Sequence, residues 1–274
     1  MDYIDFYKDA QLFFHHSKDM PPFFHNYGMH AHEIYELCYL VSGDGIFTIE
    51  GTQYPLQHHS IYLIRSNEAH YTKLTNNEPY ERIVLHFYPE ILSVLDPNQE
   101  LLTIFSQHDL GEQNFYPLDS SNQTIIDNIF QNIFLHPSKD SYSKRLSIII
   151  SLLSILAELN KIYNKNKNLQ PEFEKQPVIS DVLTYINEHL FEKITIEELC
   201  RHFFISRSHL CTLFKEYTSS TIWNYILIKR LISAKTMIQN GTSAKETASI
   251  CGYKDYSAFF RAYKKYFHMP PTMK

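Results

Sequence analysis

The sequence predicts an α+β chain: an N-terminal β-barrel, a helical segment after it, and an all-α C-terminal part with two helix-turn-helix motifs. Three observations predict this. Residues 1 to about 90 hold short β-branched and aromatic runs, broken by turn residues at roughly 8–12-residue intervals, the pattern of a sandwich or barrel. From about residue 122 the apolar residues recur at helical spacing. Beyond residue 178, helix-start signals come in pairs separated by short turns. The chain has 274 residues, enough for two domains, with 20 Tyr and 19 Phe to fill cores and only 7 Gly.

The first strands read clearly. Ile34 to Val41 is followed by the turn Ser42-Gly43-Asp44-Gly45, then Ile46 to Glu50, a second turn at Gly51, and runs at 61–65 and 82–88. Two helices follow. One carries Ile125, Ile126, Ile129, Phe130 and Ile133; the other carries Leu146, Ile149, Ile150, Leu153, Leu156 and Leu159. Both are expected to cover the barrel, and the second has apolar face to spare for a partner subunit, which makes a homodimer the expectation. Its stretch from Leu146 to Leu159 is broken by Ser147, Ser151 and Ser154, and falls short of the ~20 apolar residues a bilayer span needs. Met1 to Asp5 has no basic segment leading an apolar run, so no signal peptide is expected. Cys38, Cys200, Cys211 and Cys251 form no CxxC pair and are expected as reduced thiols of a cytoplasmic protein with no membrane association. The polar segment 161–177, with Pro171 and Pro177, reads as a linker between domains at 1–160 and 178–274.

Charge divides along the same line. The net charge of -5 splits into +5 over residues 178–274 and -10 over residues 1–177. A basic end on an acidic body is the arrangement of a polyanion binder.

Within the basic end, a helix is expected over roughly 178–190. Thr195 and Glu198 then form a capping box, and Ser206 caps a second helix from Arg207. Leu199, Phe203, Leu210 and Phe214 would share one core. The arrangement repeats: Ser243 and Glu246 form another capping box, Gly252 permits a turn, and Asp255 caps a helix from Tyr256. Between the units, Thr221 to Ile238 suits one long helix of about 27 Å at ~1.5 Å per residue. With half the width of each unit added, that length would set two recognition helices about 34 Å apart, one turn of B-DNA, so both could enter successive major grooves of double-stranded DNA.

Residues 194–273 resemble the AraC/XylS family of bacterial transcription regulators along the whole DNA-binding domain of that family. The residues that carry the resemblance include Glu198-Leu199, Ser206, Leu210, Leu213-Phe214-Lys215, Tyr225, Arg230, Ala234-Lys235, Gly252-Tyr253, Asp255, Phe259-Phe260-Arg261, Tyr263-Lys264-Lys265 and Pro271. Ser219 and His268 stand where the family has Gly in a turn, at a cost of roughly 1 kcal/mol if φ is positive. By position, Ser208, Cys211 and Thr212 of the first recognition helix face bases, with Arg207 and Lys215 at phosphate. In the second, Ser257 and Arg261 face the groove, with Lys254, Lys264 and Lys265 nearer the backbone. Arg261 alone can bind guanine bidentately, so specificity is expected to lean on Arg261 and on DNA shape. The resemblance further implies contact with RNA polymerase and, more commonly than repression, activation.

His30, His32, Glu36 and Gly43 have the spacing of the first cupin motif, and His70 falls where the second puts its histidine. On a strand, even-numbered positions share a face, so these side chains could converge inside the barrel. Three imidazoles and a carboxylate are a donor set a transition metal accepts. The second motif is degraded, however, with His59, Arg65 and Asn67 in place of Gly, Pro and Gly. Residues 22–88 also resemble the sensory domain of AraC/XylS regulators, which implies a small organic effector, such as a sugar or related metabolite, rather than a metal or cofactor. Its expected contacts are His30, His32, Glu36 and His70, with Cys38, Phe47, Ile49 and Arg65 on the pocket wall. The alternatives are a metal-binding cupin, sensor or enzyme, fused to a DNA-binding domain, and a regulator with no effector. No nucleophile–base–acid set and no phosphate loop is present, so no enzymatic activity is expected. The pairs His15-His16 and His58-His59 are expected to be exposed.

Overall fold

The computed structural model describes residues 2–21, 27–75, 78–136, 141–166 and 173–272. Among these described residues ten strands come first: β1 (Tyr3–Lys8), β2 (Leu12–Asp19), β3 (Tyr27–His30), β4 (Tyr35–Ser42), β5 (Gly45–Ile49), β6 (Thr52–Pro55), β7 (Ser60–Ile64), β8 (His70–Leu74), β9 (Tyr80–Phe87) and β10 (Phe115–Pro117), with the short helix α1 (Thr103–Ser106) before the last. Helices follow: α2 (Ser120–Phe134), α3 (Ser141–Asn166), α4 (Pro177–Glu188), α5 (Ile196–His202), α6 (Arg207–Thr218), α7 (Ile222–Gln239), α8 (Ala244–Ile250) and α9 (Tyr256–Phe267).

The strands form two antiparallel sheets, β1-β2-β9-β4-β7-β10 and β3-β8-β5-β6. The larger sheet is buried on both faces, which is why its central strands are near-continuous apolar runs. Leu37, Tyr39, Ile61, Leu63, Ile83 and Leu85 pack outward against α2 and α3. Their alternate neighbours Cys38, Leu40, Tyr62, Ile64 and Val84 pack inward with Phe47, Ile49 and Tyr54 of the smaller sheet. The register Glu36↔His86, Cys38↔Val84 between β4 and β9 keeps even-numbered residues of both strands on the inner face.

The helix α3 has 26 residues, well beyond the fourteen-residue apolar stretch visible in the sequence, because Ser147 and Ser151 do not interrupt it. Their hydroxyls donate to the carbonyls of Asn132 and Ile129 on α2, which lets the two helices approach closely. By length and composition α3 could cross a bilayer. In the fold it is a core helix: Ile148, Leu152, Ile155, Leu156 and Leu159 are wholly buried, and Lys144 sits in the core, donating to the Ile133 carbonyl and to Asp5. It also runs to Asn166, into the segment expected as linker, and Pro177 is already the first residue of α4. Pro171 lies outside the described residues.

In the C-terminal part the expected caps form. Thr195 and Glu198 make both bonds of a capping box, Ser206 accepts from the His209 N–H, and Asp255 from the Ala258 N–H. At Ser243 only half of the expected box forms: its hydroxyl accepts from the Glu246 N–H, without the return bond. Leu199, Leu210 and Phe214 join Ile179, Val182 and Ile186 of α4 in one core, with Phe203 at its margin. A second core gathers Leu231 and Ala234 of α7 with Ala248, Cys251, Phe259 and Tyr263. The 18-residue α7 therefore belongs to both units.

Candidate functional sites: a DNA-facing surface and a histidine cluster

The helices α6 and α9 present polar faces to solvent. Arg207, Ser208, Cys211, Thr212 and Lys215 are all exposed on α6. So are Ser257, Arg261, Lys264 and Lys265 on α9, with Lys254 in the turn before it. The opposite faces hold the buried Leu210 and Phe214, and Phe259 and Tyr263. This division follows from helical period: residues three and four apart share a face. Arg207 pairs with Glu197 at 2.9 Å, both well exposed, a contact weak enough to be exchanged for a phosphate.

The N-terminal part carries a cluster of a different kind. Glu36 of β4 turns Oε2 towards three imidazoles: Nε2 of His32 at 2.9 Å, of His86 at 2.9 Å and of His70 at 3.5 Å. His32 precedes β4, His70 opens β8 and His86 sits on β9, so four segments meet here. Burial alone would raise the Glu36 carboxyl. The charge at His86, the hydrogen bonds with His32 and His86 and the 3.5 Å contact with His70 outweigh it and hold the group well below the usual carboxylate range. Burial lowers the proton affinity of His32 despite its bond to Glu36. At His70 burial acts the same way, but the Glu36 contact overrides it and the affinity rises.

The chain matches two family models, described as "AraC-like ligand binding domain" over residues 24–147 and "Helix-turn-helix domain" over residues 199–273. The chain belongs to the AraC/XylS family. It is thus a transcriptional regulator with a DNA-binding part and a ligand-binding part. Similar AraC-family relatives include the uncharacterized HTH-type transcriptional regulator YdiP of Escherichia coli (strain K12), 26% identical over 89% of this chain and 80% of that one. Another is the HTH-type transcriptional activator RhaR of Mannheimia succiniciproducens, 21% identical over 92% and 87%. Among solved structures, a ToxT variant from Vibrio cholerae, without ligand, covers 96% of both chains at 12% identity with a TM-score of 0.43.

Measured against the AraC/XylS pattern, the two non-glycine turn residues are in the left-handed region, Ser219 at φ 54° and His268 at φ 58°. Of the residues expected to line the barrel, His32, Glu36 and His70 come together. His30 pairs with His70 across the strands, with ring centroids 4.2 Å apart, but is exposed and turns Nδ1 to the Gly28 carbonyl. Phe47 packs edge-on to His70, while Cys38 and Ile49 belong to the apolar core beside it. Arg65 is elsewhere: it lies 3.6 Å from the buried Glu68 and lines a cavity of about 560 Å³ with Asp109 and Asn187. His15 is buried rather than exposed, because β2 pairs it with Val84 on the inner face, near the His86 ring. His86 was missed by sequence motif. Its signal was a single titratable residue inside the apolar run Ile83 to Phe87.

Proposed function

We propose that this protein activates transcription as a cytoplasmic homodimer when a small molecule, a sugar or related metabolite, occupies its N-terminal part. The working division is a sensory and dimerising domain over 1–160, a joint over 161–177 and a DNA-binding domain over 178–274. One observation carries the reading: two recognition helices with exposed polar faces are joined by the 18-residue α7, whose ~27 Å length suits successive major grooves. Arg207, Ser208, Cys211, Thr212 and Lys215 are assigned to one groove. Ser257 and Arg261 are assigned to the next, with Lys254, Lys264 and Lys265 on its phosphates. Relatives named as activators support activation, which would act through RNA polymerase. The exposed Tyr142, Leu146 and Ile150, spaced four apart on α3, support pairing of two subunits. DNase footprinting of upstream regions by the full chain tests this. The expected result is two protected segments centred about one helical repeat apart; protection of one isolated segment would refute it.

A further inference from the structure

We propose that the cavity between α4 and the N-terminal part binds a small zwitterion of the α-amino acid class, its carboxylate on Arg65 and its ammonium on Asp109 and Glu188. The cavity holds about 560 Å³, within the ~300–1,000 Å³ of small-molecule sites. One wall is a single face of α4, where Ser180, Leu183, Thr184, Asn187 and Glu188 follow the helical spacing of three and four. The other wall is Arg65, just after β7, and the loop before β10 that carries Asp109 and Leu110.

The charged groups of this cavity are left open. Arg65 reaches Glu68 only through Nε, at 3.6 Å, too far for a hydrogen bond. Its two terminal amino groups and the carboxylates of Asp109 and Glu188 have no partner among the described residues. The other acidic groups at the cavity are neutralised, Glu50 by Lys229 and Glu112 by Lys175. A bare cation would leave the guanidinium unmet, and a bare anion would face two carboxylates. A molecule with both charges answers both. Glu188 is also the last residue of α4, where the helix dipole favours the ammonium end. The hydroxyls of Ser180 and Thr184 are free for a polar side chain, and Leu110 and Leu183 for an aliphatic one. No aromatic ring lines the cavity among the described residues, so the face of a sugar ring has nothing to stack on. The position has a consequence for DNA binding. Asn187 donates to the Tyr225 hydroxyl at 3.0 Å, and Tyr225 donates to Glu50 across the junction of the two parts. An occupant that touches both walls therefore favours the docked arrangement of the DNA-binding part. That consequence rests on the DNA-binding reading above; the site itself does not.

The test uses the full chain and calorimetry with each of the twenty free L-amino acids, with glucose as a neutral polyol and putrescine as a bare cation. At least one amino acid is expected to bind, one molecule per chain. Its N-acetyl and carboxamide derivatives, each lacking one charge, are expected to bind at least ~10-fold more weakly, the loss that follows removal of one charge-assisted hydrogen bond. Arg65→Gln, and the double change Asp109→Asn with Glu188→Gln, are expected to weaken binding as much, with folding checked by circular dichroism. Asp109 and Glu188 are exposed, so the double variant is expected to fold. Two results overturn the site: folded wild-type chain that binds none of the twenty, or binding of wild-type strength in both Arg65→Gln and the double variant. DNase footprinting with and without the bound amino acid separates the site from its consequence. Binding with unchanged DNA protection upholds the site and overturns its hold on the DNA-binding part.

Discussion

Glu50 and Lys229 meet at 2.7 Å with side chains about 1% exposed, although 179 positions separate them. Glu50 occupies the tight turn between β5 and β6, with φ 46°, and Lys229 lies midway along α7. The Glu50 carboxylate also accepts from the Ala69 N–H at 2.6 Å and from the Tyr225 hydroxyl, and Lys229 donates to the Asn67 carbonyl. Gly51, at φ 80°, lies against Leu183 of α4, where an added Cβ would stand 2.7 Å from Leu183 Cδ1. The turn is therefore the seat on which the DNA-binding part rests.

Removing one member of this pair leaves a charge buried without its partner. Lys229→Met alone is expected to cost about 3–5 kcal/mol in urea unfolding. The double change Glu50→Leu with Lys229→Met is expected to recover only part of that loss, because the Ala69 N–H and the Tyr225 hydroxyl then lose their acceptor. A single variant as stable as wild type would show the pair to be idle.

Arg261→Ala is expected to weaken specific DNA binding by about 1–3 kcal/mol and to relax preference at one base pair. Lys265→Ala is expected to weaken all sequences alike and to lower the salt slope by about one. Gel-shift titrations at several salt concentrations distinguish the two behaviours.

Burial is the largest single influence on Asp9 and alone would raise its proton affinity. The N–H groups of Gln11 and Leu12 at 2.7 and 2.8 Å, with Arg145 at 2.8 Å, outweigh it and depress its proton affinity. A depressed folded value stabilises above the ordinary carboxylate value, 3.8 for Asp9, and that stability is lost as pH falls through the folded value. Asp9→Asn is thus expected to lower stability by about 1 kcal/mol at pH 7, with the two unfolding curves converging below pH 4. Curves that stay parallel would rule this out.

Ser219→Gly and His268→Gly each place glycine where φ is positive. Each is expected to raise stability by up to about 1 kcal/mol, read as a higher urea midpoint at unchanged slope.

Much of this architecture was legible because its determinants are local. Caps at Thr195, Ser206 and Asp255 are read within three residues of themselves, and the period of Leu199, Phe203, Leu210 and Phe214 announces a shared core. The histidine cluster was only half legible. His32, Glu36 and His70 fall in a recognisable spacing, but His86 joins through the β4–β9 register, which no local pattern encodes. Arg65 was misplaced for the converse reason. A residue near a motif in sequence is drawn away by a buried carboxylate, Glu68, lying three positions on. The burial of His15 likewise depends on β2 pairing with β9 across some seventy residues.

Several residues of α7 meet the N-terminal part: Tyr225, Lys229 and Ser233 recur every fourth position along one side, and Lys235 and Gln239 add contacts to Glu33 and Tyr88. The grip is centred on the rod joining the two reading heads, and each head adds a contact: the Tyr71 hydroxyl donates to the Glu216 carbonyl of α6, and the Tyr266 hydroxyl of α9 donates to the Ala31 carbonyl. A displacement of that rod carries both heads together and leaves the interval between them fixed. Promoters of this regulator are thus expected to keep one constant gap between paired half-sites whatever the inducer state, with control exerted through how often the site is filled.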